Sequence, residues 1–179
     1  MKDQIKQVAD RITFASMNYR LWRIYTEPTD RTKYLGVLRM YNSFFLTSLQ
    51  AHFAATIITL YGLYETRRNS ISQKRLVQGV SDTNLRSEIQ PLLDEANAIW
   101  QKKITILRND VYAHLSDIEF DAKFSEAGIS PNEIERLIEI SKELVNKLSY
   151  ANDRSTFAFN LDPASDTYRL LDRLLKAEG

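Results

Sequence analysis

Apolar residues recur at Ile5, Val8, Ile12, Ala15, Tyr19 and Trp22, in alternating steps of three and four. That spacing lays them along one seam of a helix from about Asp3 to Tyr25. Thr26-Glu27-Pro28-Thr29-Asp30 interrupts the pattern, and Asp30 is the expected N-cap of a second helix. Leu38, Phe45, Leu49, Phe53, Ile57 and Leu60 then keep helical spacing toward Gly62, which predicts one long second helix. A short helix is expected between Ser72 and Val80, closed by Gly79. The next begins after Ser81-Asp82, tolerates Pro91 or bends there, and carries Leu93, Trp100, Ile104, Leu107, Val111 and His114 on one stripe.

From Leu115 to Ile129 the periodicity weakens, and a loop is expected. Ser130-Pro131-Asn132-Glu133 restarts a helix with a capping Ser, a Pro in the first turn and a Glu placed for a capping box. Its buried face is predicted at Ile134, Leu137, Ser141, Leu144 and Leu148. Asn152-Asp153 interrupts it, and Asp162-Pro163 starts a short terminal helix holding Leu170, Leu171, Leu174 and Leu175. The alternation in Ser155-Thr156-Phe157-Ala158-Phe159 is too isolated to build a sheet. The expected fold is therefore all-α, an up-down antiparallel bundle of four or five helices with short additional helices. It reads as one domain over residues 1–179, with 154–179 as a C-terminal extension or short terminal helix.

Composition narrows the chemistry. The chain has 179 residues, no Cys and two His, His52 and His114, so thiolate catalysis, disulfides and Cys-based zinc sites are excluded. No His-Glu pairing has the spacing of helical metalloenzymes, and neither a metal nor a cofactor is expected. The apolar run Phe44 to Tyr64 is broken by Thr47, Ser48, Gln50, His52, Thr56 and Thr59, which favours a buried core helix over a spanning one. Met1-Lys2-Asp3-Gln4 leads straight into an amphipathic pattern, the expectation for a cytoplasmic chain with no membrane role. A formal net charge of +1 leaves nucleic-acid binding to local patches. Arg67, Arg68, Lys74 and Arg75 form one such group, either a solvated face or a guide for RNA phosphates.

The one segment that pairs a permanent cation with a residue titrating near neutral pH is Leu107-Arg108-Asn109-Asp110-Val111-Tyr112-Ala113-His114. Without further context, Arg108 reads as a solvated helix-end cation and His114 as a partly buried histidine favoured by the helix dipole. On a continuous α-helix, six residues turn through about 120° and rise roughly 9 Å, so Arg108 and His114 of one chain do not converge on one phosphate. A two-fold pairing of the Leu107, Val111 and His114 stripe would gather two of each in one cleft. Asp110, four residues before His114, is placed to orient the imidazole, and Asn109 to hold Arg108 or touch phosphate.

The Arg-Asn start and Ala-His end of this segment resemble the HEPN family, and its abortive-infection branch most of all. The resemblance implies Arg108 and His114 as the catalytic pair and a homodimer with the site at its interface. It also implies metal-independent cleavage of RNA, and the role of a toxin or phage-defence effector restrained by an antitoxin or a nucleotidyltransferase partner. His114 would act as acid or base and Arg108 would stabilise phosphorane-like charge. Some partnered members have a Tyr two residues after the His, where this chain has Ser116, so control through that Tyr is not implied. The alternative is a non-catalytic helical module that binds nucleotide, RNA or a protein partner. His52 reads as a core or interface histidine, and Tyr61 and Tyr64 as core residues rather than stacking platforms.

Overall fold

The structure is a computed structural model that describes residues 1–67, 70–109 and 127–177. Helix α1, Lys2–Thr26, buries the whole expected seam of Ile5, Val8, Ile12, Ala15, Tyr19 and Trp22. Helix α4, Asn42–Tyr64, runs antiparallel to it, because residues of rising number on α1 meet residues of falling number on α4. The Trp22 ring packs 5.0 Å from Phe53, and the Tyr25 ring 5.5 Å from Phe45. Helix α6, Thr83–Ile99, returns beside α7, Pro131–Asp153. Glu95 accepts two hydrogen bonds of 2.6 Å from Arg136, and Glu88 pairs with Lys147 farther along, which sets α6 and α7 antiparallel too. The Lys2–Asp153 pair at 2.9 Å and the Tyr19 hydroxyl donated to the Pro131 carbonyl at 2.8 Å fix α1 against α7. The result is the up-down bundle the periodicity predicts, and no strand occurs among the described residues.

The second helix differs from expectation. Pro28 forces Glu27 into an extended conformation (ψ 124°) and itself takes the first helical turn, so α2 runs Pro28–Lys33. Asp30 therefore lies inside the first turn and is not the N-cap; its carboxylate accepts from the Tyr168 hydroxyl at 2.5 Å. The chain breaks again at Tyr34 and Tyr41, on either side of α3, Leu35–Met40. Tyr34 is buried and donates to Asp172 at 2.8 Å, so a tertiary anchor takes precedence over helix continuity. Ile24, Tyr25, Tyr34, Val37, Phe45 and Leu171 make a small second core around that anchor.

Helix α5, Gln73–Gln78, is capped by Ser72 and closed at Gly79. Its Gln73 is wholly buried and donates to the Ser141 carbonyl of α7 at 2.6 Å, while the Ser141 hydroxyl donates to Leu137. The Tyr64 hydroxyl lies 2.7 Å from that Ser141 oxygen, and with the serine proton already committed it is Tyr64 that donates. Three elements are thus pinned by one buried polar cluster. The capping box at Ser130 forms in full, and all five predicted buried positions of α7 are buried. Phe157 has both backbone groups held by the Asn146 side chain, at 2.7 and 3.2 Å, and packs on the core without forming a strand. Helix α8, Ala164–Ala177, buries Leu171 alone of its four leucines in full, with Leu170 and Leu175 facing outward.

Candidate functional site

Helix α6 does not continue as a regular α-helix into the candidate segment. Residues Trp100–Ile104 form a π-helical turn in which the Thr105 N–H reaches the Trp100 carbonyl, and Leu107 to Asn109 are π-helical again. The Thr105 hydroxyl donates to the same carbonyl at 3.0 Å. Across the bundle, the Trp100 indole N–H donates to the Tyr61 carbonyl of α4 at 3.1 Å. Wide turns of this kind occur mostly as short insertions and often at functional sites.

Leu107, wholly buried in the protein's own core, anchors the segment. Arg108, the next residue, emerges half-buried with its guanidinium over the Tyr61 ring, 4.8 Å from the centroid. Its Nη1 donates to the Asn109 side-chain oxygen at 3.0 Å, the holding role the sequence suggested for Asn109. Tyr61 in turn packs against Trp100 with ring centroids 5.6 Å apart, and the Lys74 ammonium lies 5.5 Å from the Trp100 ring. Two cations and two aromatic rings therefore form one continuous row, from Lys74 of α5 through Trp100 of the π turn and Tyr61 of α4 to Arg108. Such contacts lie within the range where the ring quadrupole attracts a cation.

Of the other residues singled out from sequence, Asp110, His114 and Arg68, together with Val111 and most of the expected 115–129 loop, lie outside the described residues. Arg67 is exposed, with Glu65 at 3.5 Å. Arg75 turns inward on its own loop and donates to the carbonyls of Arg67 and Ser70, at 2.9 and 3.2 Å. Tyr64 is a core residue as expected, and Tyr61, one step off the stripe of α4, is half-buried against the same core while its ring also bears on Arg108. That offset from Leu60 and Tyr64 was the available signal.

His52 is half-buried, and burial lowers its pKa. Asn18 spends its amide N–H on the Phe14 carbonyl, so its oxygen, 2.8 Å from His52 Nδ1, receives the imidazole proton. No group of acidic and histidine side chains with metal-binding geometry occurs among the described residues. A polar cavity of about 340 Å³ between α1, α7 and α8 contains Arg20, Arg23 and Lys142. Each of those cations is paired internally, with Asp162, Glu27 and Glu139 respectively.

A family model described as AbiU2, a HEPN domain family associated with abortive infection, matches residues 2–170. The chain belongs to the AbiU2 HEPN family. The match spans both helices that build the aromatic row and the whole of the Arg108 to His114 segment. No curated protein and no solved structure matches the chain.

Proposed function

We propose that this AbiU2-family protein is a metal-independent endoribonuclease of HEPN type, acting as a toxin or phage-defence effector. The observation that carries the reading is the seat of Arg108. A permanent cation is held on an aromatic face and by Asn109 yet is not fully buried, which suits a group that must meet a phosphate. A preset charge of this kind stabilises a transition state without reorganising at the moment of reaction.

In the proposed reaction the ribose 2′-oxygen attacks phosphorus and the bond to the 5′-oxygen breaks, leaving a 2′,3′-cyclic phosphate and a 5′-hydroxyl. His114 takes the 2′-hydroxyl proton or delivers one to the departing 5′-oxygen, and Arg108 neutralises the charge gathering on the phosphorane oxygens. DNA lacks the nucleophile and is spared. Asp110 orients His114, and the exposed Arg67 and half-buried Lys74 guide the RNA backbone. Restraint by an antitoxin or nucleotidyltransferase partner belongs to the same reading.

The test is RNA cleavage in the presence of a chelator. The unaltered protein is expected to cut, with Arg108→Ala and His114→Ala each at least about a hundredfold slower, the usual scale for losing one such group. Cleavage that survives both substitutions, or that appears only with a divalent metal, rejects this site and mechanism. Saturable RNA binding without cleavage by the unaltered protein would instead identify a binding module.

A further inference from the structure

Residues Arg39 to Phe44 are exposed without interruption, across the backbone break at Tyr41 that separates α3 from α4. A helix lying on a core alternates buried and open positions, so an unbroken run of open ones marks a corner that projects from the bundle. Its large side chains are apolar: Met40 is 60% exposed, Phe44 63% and Tyr41 43%, with Leu46 at 50% just beyond.

The corner is also cationic. From Arg31 to Tyr64 the chain has no Asp or Glu, while Arg31, Lys33 and Arg39 all precede the break. Helix α8 runs parallel to α2 and α3, because Tyr168 meets Asp30 and Asp172 meets Lys33 and Tyr34. Leu38 and Leu174 both pack against the small second core, so Arg173 and the exposed Lys176 lie toward the Met40 end. The acids of this side are spent internally. Asp30 accepts from the Tyr168 hydroxyl, Asp172 accepts from Lys33 at 2.9 Å and Tyr34 at 2.8 Å, and Asp166 pairs with Arg169. Arg31, Arg39 and Arg173 have no ion-pair partner among the described residues.

We propose that this corner is a reversible docking site for an anionic phospholipid bilayer. Met40, Tyr41 and Phe44 enter the boundary between headgroups and acyl chains, and Arg31, Arg39 and Arg173 stay at the level of the phosphates.

Shape and chemistry select a bilayer over other partners. A stable protein interface needs about 800 Å² per partner, which a few side chains on a convex corner do not supply. Reversible lipid contact needs only a shallow apolar insertion reinforced by cations. RNA also offers phosphate, yet its bases seek flat aromatic faces. Met40 and Leu46 have none, and the Phe44 ring already packs edge-to-face on Phe45, with centroids 5.1 Å apart. The contact is peripheral. By length and composition α4 is apolar enough to cross a membrane, but Phe53, Ile57, Leu60 and Leu63 are committed to the protein core. Docking at the corner keeps α4 the core helix that its polar interruptions predict, and nothing in it depends on RNA cleavage.

Flotation of the full chain with vesicles tests the site. The protein should float with vesicles of equal parts phosphatidylcholine and phosphatidylglycerol, stay behind with phosphatidylcholine alone, and be released by high salt. Arg39→Gln should weaken partitioning about fivefold, the scale of one cation near such a surface. Met40→Ser combined with Phe44→Ser should abolish it with helical circular dichroism unchanged. Because the chain has no Cys, a solvent-sensitive fluorophore can be placed at Ser43→Cys on the corner, where its emission should shift to the blue with the mixed vesicles. At Asn152→Cys it should not shift, since that end of α7 meets the start of α1 at the far end of the bundle. No flotation, equal flotation with uncharged vesicles, or unchanged flotation of the Met40 and Phe44 double variant overturns the proposal. Failure to float joined with Arg39-dependent binding of cleavage-resistant 2′-O-methyl RNA would assign the corner to nucleic acid instead. A cleaving protein that does not float would sink the docking site alone, and a floating protein that does not cleave the ribonuclease alone.

Discussion

Removing the two ends of the hydrogen bond between Tyr64 and Ser141 should cost much less together than the separate losses imply. In the native protein Tyr64 donates to Ser141, and Ser141 donates to the Leu137 carbonyl, with both residues shielded from solvent. Tyr64→Phe removes a donor and leaves Ser141 its remaining bond, a loss of about 1 kcal/mol. Ser141→Ala strands the buried phenol, a penalty of about 1–3 kcal/mol, from which about 0.5 kcal/mol is returned by the better helix propensity of Ala. In the double variant neither group is stranded, and the propensity gain persists. The cycle should therefore be sub-additive by about 1–2 kcal/mol, well outside the ~0.3–0.5 kcal/mol scatter of independent sites. Urea unfolding followed by helical circular dichroism measures it, and each kcal/mol should move the melting temperature by about 2–4 °C in a chain of this size. Additive losses would refute the assignment of Tyr64 as donor to Ser141.

Two further predictions address the site and its support. Tyr61→Leu, which removes the ring beneath Arg108, should slow RNA cleavage about fivefold for a contact worth ~1 kcal/mol, with KM little changed; Tyr61→Phe, which keeps the ring, should match the unaltered protein. Equal rates for all three would show that the ring does not position Arg108. Glu133 is held below its ordinary carboxylate value first by the Lys103 ammonium and then by the Ser130 backbone N–H. Because its folded pKa lies below the unfolded value of 4.5, its stabilisation is complete above that pH and fades as pH falls through the folded pKa. Melting temperatures between about pH 3 and pH 6 should drop more steeply for the unaltered protein than for Glu133→Gln. Parallel curves would refute the linkage, since Glu95, Asp153 and Asp172 contribute alike to both proteins.

Where local chemistry and burial agree, the sequence was legible. Helix α7 announces itself through Ser130, Pro131 and Glu133, and its apolar positions face the core because nothing interrupts their period. The stretch from Pro28 to Tyr64 misleads because its hydrophobic rhythm continues through two breaks in the backbone. Periodicity records which side chains are buried, and Leu38 and Phe45 join the same small core although Tyr41 separates their helices. Asp30 resembles a cap by type, but its partner Tyr168 is 138 residues away. No local pattern encodes that choice. The Arg-Asn start of the candidate segment was equally visible, whereas the aromatic seat beneath it depends on α4 and the π segment meeting in space.

The π turn changes what the spacing of Arg108 means. A step of about 100° per residue holds only while each N–H reaches four residues back, and here the Thr105 N–H reaches five back to Trp100. The register is tied down at both ends, by the Trp100 indole on the Tyr61 carbonyl and by Leu107 in the core. Arg108 is then delivered to the α4 side of the bundle, where Tyr61 meets it. One side chain thus links the buried core to the half-buried cation of the candidate site.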